Sequence, residues 1–276
     1  MQAYGDARTD KTLATPLEMV AGNLRLAMEG YARASPRGAL QYLPPGLTMI
    51  SSGVDYPVFN AVLLNGPFLD SMHELASSLR SAAAFYAARG LGWSFWLCHE
   101  LFPTDLLPTV LTILAHAGLR QIAQHQGMYC DAVLPPSRPL PALEARRVQD
   151  PQTRLHFCRI ISDVFGVPYQ ISAEVYGDRS FWEGSYIAWV GYRNGKPIVT
   201  VATDSSSGVI GVYSVATVPK HRGKGFGEAI TRHGVEQAAR STGLQRSILQ
   251  STPAGLTLYK QMGYQRLGLF SVFIST

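Results

Sequence analysis

Apolar positions repeat every three to four residues in several stretches and alternate or run together in others, which divides the chain into helices and strands. Leu17, Val20, Leu24 and Met28 put one apolar stripe on a helix over Pro16–Arg33. Leu47–Val54 and Phe59–Leu64 predict strands, with Asp55–Pro57 turning between them. A second helix is predicted over Phe68–Ala88, ending at Arg89-Gly90. Gly92–His99 reads as a buried strand. Leu106–Ala117 is helical and closes at Gly118, and Gln121–Val133 forms one or two strands.

Leu134–Glu144 holds four prolines in eleven residues (LPPSRPLPALE). A segment so poor in backbone donors suits a linker better than a helix or strand. It predicts two domains, residues 1–139 and 140–276.

The pattern then restarts. Ala145–Val148 is a candidate strand, and Asp150-Pro151 opens a helix with an N-cap and a first-turn proline. A short helix follows over Ser172–Gly177. Tyr186–Tyr192 and Pro197–Thr203 form a hairpin around Asn194-Gly195. Val209–Val218 is a strand running into a glycine-rich loop and a helix. Arg246–Gln250 is a strand, Ala254–Met262 a helix, and Tyr264–Ile274 one or two closing strands. Alternating strands and helices predict an α/β (α+β) fold in both halves. Residues 1–15 are polar and predict poor order.

Composition narrows the function. The 276 residues are 46% hydrophobic and 16% charged, which suits a folded chain with a large core. The net charge of +5 fits a small anionic ligand such as a nucleotide as well as it fits nucleic acid, and the lack of a Lys/Arg run argues against nucleic acid. Cys98, Cys130 and Cys158 are three widely spaced cysteines, read as free thiols. The N-terminus lacks an apolar signal core, and Leu106–Leu119 is too short and interrupted to span a bilayer. A cytoplasmic protein with no membrane partner is the expectation. Cys98, His99, His116, His125 and Cys130 follow no zinc spacing, so no metal is expected. Trp93, Phe95 and Trp96 are read as core packing rather than a substrate wall, and Cys158 as a small core residue.

Chemistry concentrates in Val218-Pro-Lys-His-Arg-Gly-Lys-Gly-Phe-Gly-Glu228. A strand ends, three glycines follow, and a helix begins. Free amides at a helix start and the helix dipole favour an anion, and glycines let a diphosphate approach the main chain. The spacing is neither GxxxxGK[ST] nor GxGxxG. It is R-x-x-G-x-G, as Arg222, Gly225 and Gly227.

Together with Leu249–Tyr264, a strand, a helix and a Y-x-x-x-G-[FY] ending, this motif resembles the acetyl-CoA-dependent N-acetyltransferases of the GNAT superfamily over residues 145–276. Tyr213–Pro219 also resembles a branch with a degenerate GNAT-like first half. In that branch the first half has a strand like Phe59–Val62 and a helix–glycine–strand ending in methionine, like Leu106–Met128.

The resemblance implies a tandem GNAT fold with mixed, mostly antiparallel sheets flanked by helices. It implies that acetyl-CoA lies against Ala216, Thr217 and Val218, with its pyrophosphate on Arg222, Gly223, Lys224, Gly225, Phe226 and Gly227. It further implies that an amide near Val218 polarises the thioester carbonyl. Tyr259 falls where the family often places a tyrosine near the thioester sulfur, a candidate general acid, with core packing as the alternative. The family's strand glutamate has no counterpart in Val209–Val218, which leaves Glu183, Asp204, Tyr213 or water to take the amine proton. The first half, without RxxGxG, is expected not to bind acetyl-CoA and instead to shape the acceptor pocket. The implied reaction is acetyl transfer to a primary amine on a small molecule or peptide. A silent CoA-binding or assembly module is the alternative.

Overall fold

A computed structural model describes residues 15–69 and 71–275. The reading of residues 1–15 as poorly ordered falls, but for Thr15, outside them. Among the described residues the order is α1 Pro16–Ala34, β1 Ala39–Leu43, β2 Leu47–Ser51, β3 Asn60–Leu64, α2 Met72–Ala87, β4 Ser94–Cys98, α3 Leu107–His116 and β5 Leu119–Cys130. There follow β6 Glu144–Arg147, α4 Pro151–Phe165, α5 Tyr169–Tyr176, β7 Tyr186–Arg193, β8 Lys196–Asp204, β9 Ile210–Thr217, α6 Phe226–Thr242, β10 Ser247–Ser251, α7 Leu256–Gln261 and β11 Gln265–Ser275.

Local chemistry sets the helix ends. Thr15 caps α1 in a reciprocal box with Glu18, and Asp150 caps α4 in the same way with Thr153. Asn194 and Gly195 both take positive φ, 51° and 71°, as a tight turn between right-twisted strands requires. α2 starts at Met72, later than the periodicity predicts. The buried Phe68 lies before it, stacked on Phe102 with ring centroids 5.0 Å apart.

All strands join one mixed sheet in the order β1-β2-β3-β4-β11-β5-β10-β9-β8-β7-β6. The chain halves exchange strands within it. β5 leaves the first half to pair with β10, and β11 returns from the C-terminus to lie between β4 and β5. Gln121–Val133 and Tyr264–Ile274 each resolve into a single long strand, because each is the central partner of a ladder. β1 was not foreseen. It is an edge strand with an exposed Tyr42 and no apolar alternation.

Three apolar clusters hold the layers. In the second half, Ala188, Val190, Tyr192 and Ala202 pack with Phe157, Ile160 and Ile161 of α4. The opposite face, with Val199, Val201 and Val212, packs with Phe226, Ile230 and Val235 of α6. In the first half, α1, α2 and α3 contribute Val20, Leu24, Leu75, Leu79, Val110 and Leu114 to a cluster with β2, β3 and β4. Helix α1 touches β1, β2 and β3 and also reaches β5, β9, β10 and β11, so it bridges the exchange.

Candidate active site

The site begins where β9 and β10 part. They pair in parallel only at Ser247↔Ile210 and Ile248↔Gly211, and from there the two strands diverge. On its other edge β9 stays paired to β8, with a bulge between Thr200/Ala202 that sets two β9 residues, Ser214 and Val215, opposite one. Ser214 takes φ 51°, uncommon for a non-glycine residue. Two contacts hold it there: Thr200 Oγ1 donates to its carbonyl at 2.8 Å, and its hydroxyl lies 2.7 Å from that of Tyr186. Ala216 is buried and Thr217 and Val218 half-buried along the parted strand. The Val218 amide donates to Ile198 O at 2.9 Å. Alternation along the ladder then turns the N–H of Thr217 away from β8, towards the gap.

At the end of β9 the chain makes a 3₁₀ turn over Pro219–His221 and enters the glycine loop. The Arg222 amide is used inside that turn, bonded to Pro219 O at 3.1 Å. The amides of Gly223, Lys224, Gly225, Phe226, Gly227 and Glu228 have no acceptor within the described residues. Gly223 and Gly225 have φ of 70° and 82°, and Gly225 is the N-cap of α6. Successive donors in this shape form a concave nest at a positive helix end. Glu228 would put a negative charge there, but Arg232 neutralises it with bonds of 2.8 and 2.9 Å. Two motif cations lean on main-chain carbonyls: Arg222 Nε on Thr217 O at 3.0 Å and Lys224 Nζ on Lys220 O at 2.9 Å.

Tyr259 lies on α7 and is buried. A Cβ added at Gly255 would lie 2.9 Å from Ser251 Oγ and 3.0 Å from the Tyr259 ring, so the ring borders the free end of β10. Its hydroxyl bonds to no described residue, and burial raises its pKa, holding the phenol protonated.

The residues raised as bases are occupied elsewhere. Glu183 is exposed and pairs with Arg179 at 3.1 Å. Buried Asp204 accepts from Ser185 Oγ at 2.5 Å and from the Ser206 amide at 2.9 Å. The Tyr213 hydroxyl donates to Asn23 Oδ1 at 2.6 Å, and burial raises its pKa well above the usual value.

Sequence reasoning missed the ring of aromatics beside the bulge. Tyr31, Phe59, Tyr176, Phe181 and Tyr186 pack together with centroids 5.1–6.5 Å apart, and the Tyr31 and Tyr176 hydroxyls lie 3.0 Å apart. Tyr31 comes from α1, so the first half covers this side of the gap. No spacing along the chain links these residues. Among the described residues no three His, Cys, Asp or Glu side chains gather as for a metal, and no helix is long and apolar enough to cross a membrane.

Residues 184–266 match the family model for the acetyltransferase (GNAT) domain. No curated protein sequence matches the chain. Among solved structures, a GCN5-related N-acetyltransferase from Kribbella flavida is similar in fold, with 18% identity, a TM-score of 0.71 and 96% of each chain covered. A tandem GNAT protein from the clavulanic acid biosynthesis pathway aligns over 98% of this chain and 96% of its own, at 13% identity and a TM-score of 0.59. A functionally unknown conserved protein from Staphylococcus epidermidis aligns over 86% of this chain and 94% of its own, at 13% identity and a TM-score of 0.63. Residues 184–266 are therefore similar to a GNAT domain, and the chain has a tandem GNAT fold. The match to that domain supports an acyltransferase activity.

Proposed function

We propose that the protein transfers the acetyl group of acetyl-CoA to a primary amine of a small molecule or peptide, by direct attack in a ternary complex. One observation carries this reading: six consecutive amides, from Gly223 to Glu228, stand open at a helix start beside the point where two sheet strands part. The nest suits the diphosphate, and the gap suits the pantetheine arm as an added strand along Ala216–Val218. In the reaction the amine lone pair attacks the thioester carbon. The carbonyl electrons move to oxygen, where the inward amide of Thr217 is the available donor in place of Val218. Collapse breaks the carbon–sulfur bond, and the Tyr259 phenol protonates the departing thiolate. The surplus amine proton leaves to water, because Glu183, Asp204 and Tyr213 are all engaged. Most of the acceleration rests on holding the two reactants together.

The division into residues 1–139 and 140–276 is a division of labour in this reading. The second half holds CoA, while α1 and its Tyr31 shape the acceptor side. β3 and β4 pair along Ala61–Leu63, unlike the parted β9 and β10, which supports a first half that takes no CoA. A cytoplasmic setting suits free acetyl-CoA.

A second reading is a CoA-binding module that transfers nothing. The absence of any carboxylate on β9 favours it. Calorimetric titration with CoA, joined to thiol release from acetyl-CoA over a panel of amines, separates the two. Binding with amine-dependent release supports the transferase. Binding without release from any amine supports the module. No binding overturns both.

A further inference from the structure

The linker between the halves crosses the nest. It is pinned at its start, where the Leu134 amide donates to Met262 O at 3.0 Å and Arg232 donates to Leu134 O. It is pinned at its end, where Leu143 packs into the α6 cluster beside Gly191 and Glu144 opens β6. Between these points it passes directly over the N-cap of α6. A Cβ built on Gly225 would lie 3.1 Å from Pro141 Cδ and 3.6 Å from Arg138 Nη2.

Arg138 is thus brought to the mouth of the nest by a segment remote from the motif in sequence. Its backbone is restricted, because Pro136 precedes it by two residues and Pro139 follows it, which keeps it out of the helical region. Its guanidinium makes no ion pair or hydrogen bond among the described residues. By contrast, Arg222 and Lys224 are bonded to carbonyls and Arg232 is paired with Glu228. An unpaired arginine held beside open amides is a phosphate ligand in waiting, since its planar fork matches two phosphate oxygens.

We infer that Arg138, on the interdomain linker, binds a phosphate of the CoA nucleotide and closes the linker over it as a strap. The inference rests on the reading of residues 223–228 as a CoA diphosphate site. CoA offers such a side chain phosphate at two places, the diphosphate and the 3′-phosphate, and they are chemically alike to it.

The test is calorimetric titration of wild type, Arg138→Gln and Arg138→Lys with CoA and with 3′-dephospho-CoA. Arg138 is exposed, so neither substitution disturbs the core. The expected result is a loss of about tenfold in CoA affinity for Arg138→Gln, with partial recovery in Arg138→Lys and a deficit that shrinks as salt is raised. An equal loss for dephospho-CoA assigns the arginine to the diphosphate, and a loss confined to CoA assigns it to the 3′-phosphate. Unchanged affinity in Arg138→Gln, with wild type binding CoA, overturns the strap and leaves the diphosphate site standing. A wild type that does not bind CoA overturns both.

Discussion

Asn23 and Tyr213 join the two halves of the chain: Asn23 Oδ1 accepts from the Tyr213 hydroxyl at 2.6 Å, in a place where Asn23 is fully buried. The same amide donates to Ser206 O at 2.7 Å and Asp204 O at 3.2 Å. Fit here is tight: a Cβ on Gly211 would lie 1.9 Å from Asn23 Oδ1. Asn23→Ala leaves the Tyr213 hydroxyl without its acceptor and takes a donor from the Asp204 and Ser206 carbonyls. It should lower stability by about 2 kcal/mol, the usual cost of orphaned buried groups. Urea denaturation checks this, and a midpoint equal to wild type would show that the contact contributes nothing.

Strand exchange makes the halves interdependent. Without β5, Ser247–Ser251 of β10 lose their antiparallel partner, and without β4 and β5 the whole of β11 has none. A fragment of residues 140–276 should therefore unfold without a cooperative transition and bind hydrophobic dyes, since bare edges and an open core face result. Co-expression with residues 1–139 should restore a cooperative melt. A fragment that melts sharply by itself would contradict this account.

This exchange is also where the sequence was least legible. Asp150 before Pro151, and Asn194-Gly195 between alternating strands, act through local chemistry and could be read from neighbours alone. The RxxGxG loop was legible for the same reason: its glycines and helix start are contiguous. β5 and β11 carry residues that would suit a ladder in either half, so nothing local says which ladder each joins. Tyr31, Tyr176 and Tyr186 meet only because α1 of one half crosses the other. Ser214 carries no sign of its positive φ, because the bulge is imposed by its β8 partner.

Gly225 tests the phosphate nest. Its φ of 82° disfavours side chains, and Pro141 leaves little room above it. Gly225→Asp should keep the fold, with a loss of about 1 kcal/mol, while placing a carboxylate against the diphosphate. CoA affinity should fall by at least about tenfold, as like charges at short range repel. Titration calorimetry on the folded variant measures it, and wild-type affinity would remove the diphosphate from this loop.

Buried phenols give the protein an alkaline limit. Burial raises the pKa values of Tyr31, Tyr176, Tyr186 and Tyr213, and those of Tyr86, Tyr259 and Tyr264 as well. Their folded values lie above the roughly 10 of an unfolded tyrosine, so the unfolded chain gives up these protons first. Stability from this source is complete below about pH 10 and is lost as pH rises through and beyond it. Urea midpoints should be level between pH 7 and 9 and fall steeply by pH 11, with the share of phenolate absorbance that belongs to these seven tyrosines appearing only as the protein unfolds. Phenolate signal from all tyrosines in the folded state at pH 11 would contradict the burial.

Tyr259 separates chemistry from binding. Its hydroxyl has no partner among the described residues, and desolvation by its surroundings keeps the proton on. Such a group carries the proton a donor needs and cannot serve as a base near neutrality. Tyr259→Phe preserves the ring contact with Tyr264, 5.7 Å between centroids, and removes only the donor. CoA affinity should stay at the wild-type level while amine-dependent thiol release drops by about 100-fold, the lower end for a general acid because a thiolate leaves readily. Below about pH 10 the wild-type rate should show no fall caused by phenol ionisation. Equal release by Tyr259→Phe would reduce the residue to packing and leave the thiolate to be protonated by water.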